Sequence, residues 1–331
     1  MRAVSRSLRP FFITTICCWA VLFAAARIYS EQHPSSHWIM SALFPALVVE
    51  VPFYLAAGFV ATRERFAALA SRFAQGGALW ASALMPYLVF SLVTGTFERN
   101  AFYLLAGLCA VLSFWHAVFP RRLAYDAGFL VIAAAPVVLR VFGRIYVSPT
   151  PQLHVDLLGH LMWIRVGALA LLVMREWNPG GFSFWPHPRE WRVGFALYVA
   201  FLLPIIAVAI ALHDVQFAPP GSNWPIALAT GAVTFFGILW VVAWSEELFF
   251  RGLIERAALN SWQSPAAAVA VSALLFGSVH LWFHQFPNWR RAIVATVLGV
   301  ACGIAYWRSG SVRAPMVTHA LVVTTWRLFF R

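Results

Sequence analysis

A few side chains in the C-terminal part of the chain are of the kinds that move protons or hold metal ions. The run 244–256 reads WSEELFFRGLIER. Glu246 and Glu247 are adjacent, and Arg251 follows Glu247 by four residues, so on a helix those two share a face and can pair. Glu246 then points about 100° away, toward a different neighbour. One carboxylate is thereby held ionised by an arginine, while the other is free to work as a general base. Further on, SALLFGSVHLWFH places His280 four residues after Phe276 and His284 four after His280, which would be one helix face. His319 stands in APMVTHALVV. Two glutamates and three histidines from three separate helices define a site that handles protons or binds a metal.

The elements that must position these residues are membrane helices. Of 331 residues, 61% are hydrophobic and only 11% charged, and mean hydropathy is +0.75. A soluble domain of this size could not hide so much apolar surface. Soluble, disordered and fibrous classes are excluded. A bilayer core about 30 Å thick needs about 20 apolar residues per helix. Candidate spans cover 11–28, 38–61, 77–96, 101–119, 125–142, 156–174, 193–212, 225–245, 265–283, 291–307 and 314–330. The runs are continuous rather than alternating, which excludes a β-barrel. The expected fold is therefore all-α, a polytopic transmembrane bundle of about 10–11 spans. Two spans carry an internal arginine, Arg140 in 125–142 and Arg165 in 156–174. No small-residue cleavage site stands clear of the first apolar run, so it is read as a span and not a signal.

Net charge is +12 and every basic residue is arginine. The arginines sit mostly in the gaps between apolar runs, where they set topology and meet lipid headgroups. That placement argues against nucleic acid as a partner. Arg2, Arg6 and Arg9, then the groups at 63–72, 121–122, 175–192, 251–256 and 308–313, fall on one side with the N-terminus cytoplasmic. The pair Arg290–Arg291 falls on the other. The four cysteines, Cys17, Cys18, Cys109 and Cys302, lie inside apolar runs and make no CxxC pair, as expected for small buried hydrophobes. The polar stretch 175–192, REWNPGGFSFWPHPREWR, is an interfacial connector in this reading. It divides an N-terminal helical region, 1–174, of unassigned role from a C-terminal membrane domain, 193–331. Arginine as the sole basic residue suggests a GC-rich bacterial genome, hence a multi-pass protein of the bacterial inner membrane.

Roughly residues 190–331 resemble the CPBP group of intramembrane proteases, which includes the CAAX prenyl endopeptidases and many bacterial Abi-type proteins. The family's EExxxR motif is matched by Glu246, Glu247 and Arg251, followed by Gly252. Its FxxxH motif is matched by Phe276 and His280, and its third motif by His319. The lead-in VLGVACGIAYWRSGSVRAP also has the family's look. The resemblance implies a metal-independent, glutamic-type endopeptidase with no cofactor, acting near the C-terminus of a membrane-anchored protein or peptide substrate. Glu246, helped by His280, would deprotonate the attacking water. His319 would stabilise the oxyanion, and Glu247 and Arg251 would orient these groups. One position departs from the pattern: four residues after His319 the family commonly has Asn, and this chain has Val323. The missing donor would be replaced by Thr318, Thr324 or a backbone amide.

Other functions use the same residues. A zinc-dependent intramembrane protease would take His280 and His284, whose i,i+4 spacing is that of zinc-binding helices, with Glu246 and His319 completing the site. The run HLWFH lacks the glutamate that HExxH enzymes place second. A transporter or proton-coupled channel would relay protons through these groups but calls for inverted repeats, and the sequence shows none. A non-catalytic scaffold or immunity-type membrane protein would need no chemistry from them.

Overall fold

The computed structural model describes residues 7–32, 41, 43–148, 155–221, 223–283 and 286–330. Among them every named element is a helix. The chain divides into two compact units, Met1–Trp177 and Asn178–Arg331. The division falls inside the segment 175–192 expected as a connector.

The first unit contains α1 (Arg9–Gln32), α2 (Phe44–Ala56), α3 (Val60–Ala67), α4 (Arg72–Thr94), α5 (Arg99–Val118), α6 (Leu123–Val138), the single turn α7 (Phe142–Ile145) and α8 (Leu157–Leu169), which continues as a π turn, Ala170–Met174. Local sequence sets these boundaries. Ser71 caps α4 by accepting from the Ala74 amide, and Gly95 ends it in the left-handed conformation. An ion pair fixes how three of these helices meet. Arg165 on α8 donates from Nε and Nη2 to the two carboxylate oxygens of Glu50 on α2, at 2.7 and 3.1 Å. It also donates to the hydroxyl and carbonyl of Ser82 on α4, at 2.9 and 2.8 Å. Both charged residues are essentially inaccessible. The arginine that interrupts span 156–174 is thus neutralised by a glutamate the sequence analysis did not single out.

The second unit holds the candidate site. It opens with α9 (Pro188–Ala211), started by Pro188 and a capping box between His187 and Glu190. One continuous helix of 39 residues follows, Trp224–Trp262. It consists of α10 (Trp224–Gly237), a π turn (Ile238–Ala243), α11 (Trp244–Phe249), a second π turn (Phe250–Glu255) and α12 (Arg256–Trp262). Then come α13 (Pro265–Val279), closed by a 3₁₀ turn over His280–Trp282, α14 (Trp289–Ser309) and α15 (Arg313–Phe329). Helix α14 packs on α13, α9 and α15, while α15 packs on the first π turn and α11. A GVACG run, 299–303, makes the α13–α14 approach possible. A Cβ on Gly299 would lie 2.9 Å from the Ala273 Cα, and one on Gly303 would lie 2.9 Å from a Glu255 carboxylate oxygen.

Among the described residues eight helices are long and apolar enough to cross a membrane, or nine if the bent pair α2 and α3, at 85°, counts as one span. The expected 10–11 is corrected for two physical reasons. The run 125–142 forms only the 16-residue α6, because Arg140 sits beyond it in a turn with φ of 52°. The run 314–330 forms the 17-residue α15. Helix α6 falls short of the roughly 17–25 residues a span requires, and α15 stands at the lower edge of that range with an arginine at its start and another in its last turn. A further correction concerns 225–245, expected to end just before the glutamate pair. The helix instead continues through Glu246 and Glu247 to Trp262, because the π turns absorb the polar interruption without breaking it.

Candidate active site

Glu247, Arg251 and Glu255 form an i,i+4 ladder along α11 and the second π turn, and all three are fully buried. Nη1 of Arg251 lies 3.1 Å from one oxygen of Glu247, and its Nε lies 4.0 Å from Glu255. Its Nη2 donates to the carbonyl of Gly299 at 2.8 Å. The guanidinium also stands over the ring of Phe276, 4.8 Å from its centroid. Arg251 is thereby fixed from three directions, and Glu247 is fixed with it.

The other oxygen of Glu247 accepts from Nδ1 of His319 at 2.7 Å. This bond joins α11 to α15 and sets the orientation of the imidazole. Nε2 of His319 then faces Glu246, 3.8 Å from its Oε2. Glu246 differs from its neighbour in access: its side chain is 34% exposed, whereas that of Glu247 is 0%. His319 itself is nearly inaccessible, at 4%. One carboxylate is locked behind the imidazole, and the other stands before it and is partly exposed.

His280 enters from a different direction. Its Nδ1 donates to the Phe276 carbonyl at 2.8 Å, so in the neutral ring Nε2 is left as the acceptor. Among the described residues it makes no hydrogen bond or ion pair to Glu246. Both imidazoles touch the ring of Phe276, at 4.8 Å for His280 and 5.7 Å for His319. Both also line one cavity of about 360 Å³. Its remaining wall is mostly aliphatic and aromatic, with Val323 beside His319 and two arginines, Arg291 and Arg327.

Five residues singled out from sequence therefore gather in one place. Glu246, Glu247, Arg251 and His319 touch in sequence, while His280 shares a cavity with His319 and an aromatic neighbour, Phe276, with His319 and Arg251. His284 lies outside the described residues, and the α-helix that would have aligned it with His280 ends at Val279. Two of the suggested replacements for the family Asn do not face the cavity. Thr318 donates its hydroxyl to the Gly194 carbonyl at 2.9 Å, and Thr324 is not part of the lining.

Two residues of the cluster were not anticipated. Glu255 continues the four-residue spacing one step beyond Arg251, a signal present in the run quoted above. Cys302 comes from α14, and its sulfur, an oxygen of Glu247 and a nitrogen of His319 all lie within 4.8 Å of one another. Such a trio can ligate a metal ion, although here Glu247 is already shared by Arg251 and His319. Packing alone brings the thiol there, so spacing could not have shown it.

Positioning extends to the polar segment ahead of α9. Trp244, two residues before Glu246, is completely buried. Phe182 and Phe184 pack on it at centroid distances of 4.7 and 5.1 Å. Arg313 at the start of α15 holds that segment through Glu190 at 2.8 Å and Ser183 at 2.9 Å. The stretch read as an interfacial connector thus buttresses two of the three helices that carry the site.

With this geometry in view, the class is a multi-pass membrane protein with a buried carboxylate–imidazole cluster. Residues 227–325 match the family model described as type II CAAX prenyl endopeptidase Rce1-like. This match supports the CPBP and CAAX protease family for the C-terminal unit, and with it a peptidase. No curated protein and no solved structure matches the chain.

Proposed function

We propose that this chain is a glutamic-type intramembrane endopeptidase that cleaves a membrane-anchored protein or peptide near its C-terminus. The observation that carries this reading is the placement of His319 between two unlike carboxylates at the wall of a cavity. Glu247, held by Arg251, receives the Nδ1 proton and fixes the imidazole. A water hydrogen-bonded at about 2.8 Å to both Glu246 and Nε2 of His319 closes a triangle whose long edge is the observed 3.8 Å. Glu246 takes a proton from that water, and its oxygen attacks the scissile carbonyl. When His319 carries protons on both nitrogens, Nε2 donates to the developing oxyanion and Glu247 stabilises the imidazolium, as in other carboxylate–histidine pairs. Glu246 then hands that proton to the leaving amine, and His280 supplies a second imidazole on the cavity wall whose Nε2 accepts from the same substrate. Arg251 and Glu247 act as positioning residues. A bacterial inner-membrane setting with a cytoplasmic N-terminus belongs to the same proposal.

The test is Glu246→Gln in the full chain, reconstituted with an acylated reporter peptide. Cleavage is expected to fall by about 10²–10⁴, while the unfolding midpoint stays close to that of the parent because Glu246 is partly exposed. Undiminished cleavage would refute the assignment.

A further inference from the structure

The pair Arg290–Arg291 is expected from sequence on the opposite side from the main arginine groups, and the proposed chemistry makes no use of it. The structure gives both residues anchors in the turn after α9. Arg290 donates to the His213 carbonyl at 3.3 Å. Nε of Arg291 lies 3.4 Å from Oδ2 of Asp214, with side-chain exposures of 23% and 5%. Neither atom of that contact completes a hydrogen bond, so Asp214 holds the guanidinium by charge and leaves its outer fork open. Trp326 on α15 supports it from below, its ring centroid 5.0 Å from the guanidinium carbon.

Arg291 lines the same cavity as His280 and His319. Around it the wall is Val294, Leu298, Val322 and Val323, which offer no anion. Asp214 meets the guanidinium only on its Nε side, so the open outer fork offers a negative group of the occupant a second place to bind. Arg327, exposed and likewise on the cavity wall, adds positive charge at that end. Trp326 lies two helical turns beyond His319, roughly 11 Å along the axis. About three residues of extended peptide cover that length.

We infer that Arg291 is a specificity-determining residue that binds a carboxylate of the substrate, about three residues to one side of the bond cleaved. The inference rests on the proteolytic reading above. The planar fork favours bidentate pairing with a carboxylate, and on a peptide that group is either the chain terminus or an Asp or Glu side chain. The wall of aliphatic residues accommodates the intervening apolar side chains.

The experiment uses the full chain in nanodiscs and N-palmitoylated apolar peptides in four forms: free acid, C-terminal amide, and amides with an internal Glu or the matching Gln. Cleavage is read by mass spectrometry as kcat and KM, and binding is read by calorimetry in a Glu246→Gln background. The parent is expected to prefer one carboxylate form over its neutral counterpart by about 10–100-fold, mostly in KM and in affinity. Preference for free acid over C-terminal amide identifies the chain terminus, and preference for Glu over Gln identifies a side chain. Arg291→Gln is expected to abolish the preference, and Arg291→Lys to retain part of it, with the neutral peptides handled as before. Cleavage or binding that ignores the carboxylate, or a preference that survives Arg291→Gln, overturns the inference. Carboxylate-dependent binding without any cleavage by the parent would instead refute the protease reading and leave the assignment of Arg291 standing.

Discussion

Replacing Arg251 with Met should damage the protein far more than loss of one surface charge. The parent side chain lies between two carboxylates that water does not reach, at 3.1 Å from Glu247 and 4.0 Å from Glu255. At an effective dielectric of about 20, these separations correspond to gross attractions of about 5 and about 4 kcal/mol. Most of that offsets the cost of taking the charges out of water, so the sum is not the stability gained. Methionine fills the space but leaves Glu255 uncompensated and Glu247 with His319 alone, removes the donor to Gly299 and ends the contact with Phe276. A loss of about 3–5 kcal/mol is expected, the usual cost of breaking a buried pair from one side. The assay is unfolding of the full chain in mixed micelles by graded SDS, with the exposed Arg308→Met as the reference. Adding Glu255→Leu to Arg251→Met should recover about 1–2 kcal/mol, because one orphaned carboxylate is removed and the two sites couple. If Arg251→Met is no more destabilised than Arg308→Met, or if Glu255→Leu adds a further loss, the reasoning fails.

Four other outcomes are expected. Arg165→Met should destabilise the N-terminal unit by about 3–5 kcal/mol, and pairing it with Glu50→Leu should restore much of the loss, measured by the same unfolding assay. Gly299→Val should lower stability by about 1–3 kcal/mol, since its Cβ would press on the Ala273 backbone, and α13–α14 disulfide trapping should report the widened seam. Val323→Asn should raise kcat by about tenfold or more, by placing an amide donor on the cavity wall one turn from His319; an unchanged kcat would mean the oxyanion is already fully served. Chelation with 1,10-phenanthroline should leave the cleavage rate unaltered, and a loss restored by zinc would move the chemistry to Glu247, Cys302 and His319.

Much of the site was legible because charge is scarce. In an apolar sequence an adjacent glutamate pair with an arginine four residues on stands out, and helical spacing alone puts Glu247 with Arg251. The contact that organises the site was not legible. His319 lies on α15, and only the packing of α15 against α11 decides that its Nδ1 meets Glu247 while Nε2 faces Glu246. Glu255 lay within the same motif but reads as an ordinary helix-end charge until the helix is seen to continue past it. Glu50 was missed for a related reason: its partner Arg165 is 115 residues away, and each alone looks like an interruption of a span. The expected number of spans exceeds the number of long apolar helices because hydropathy reports apolar length, whereas α6 stops at the turn that holds Arg140 and α15 carries arginines at both ends.

The two π turns flanking Glu246 and Glu247 carry a consequence for how this helix tolerates change in length. Each π turn accommodates one residue more than an α-helix would while keeping the faces on either side in phase. Shortening the stretch Ile238–Ala243 by one residue should therefore convert it to regular α-helix with the carboxylates still aimed at His319. The same deletion within α10, outside the π turn, shifts every later residue by about 100° unless the π turn is given up to absorb it. The helix thus holds two places where a single-codon deletion can be taken up, and both adjoin the glutamate pair rather than lying at the helix ends.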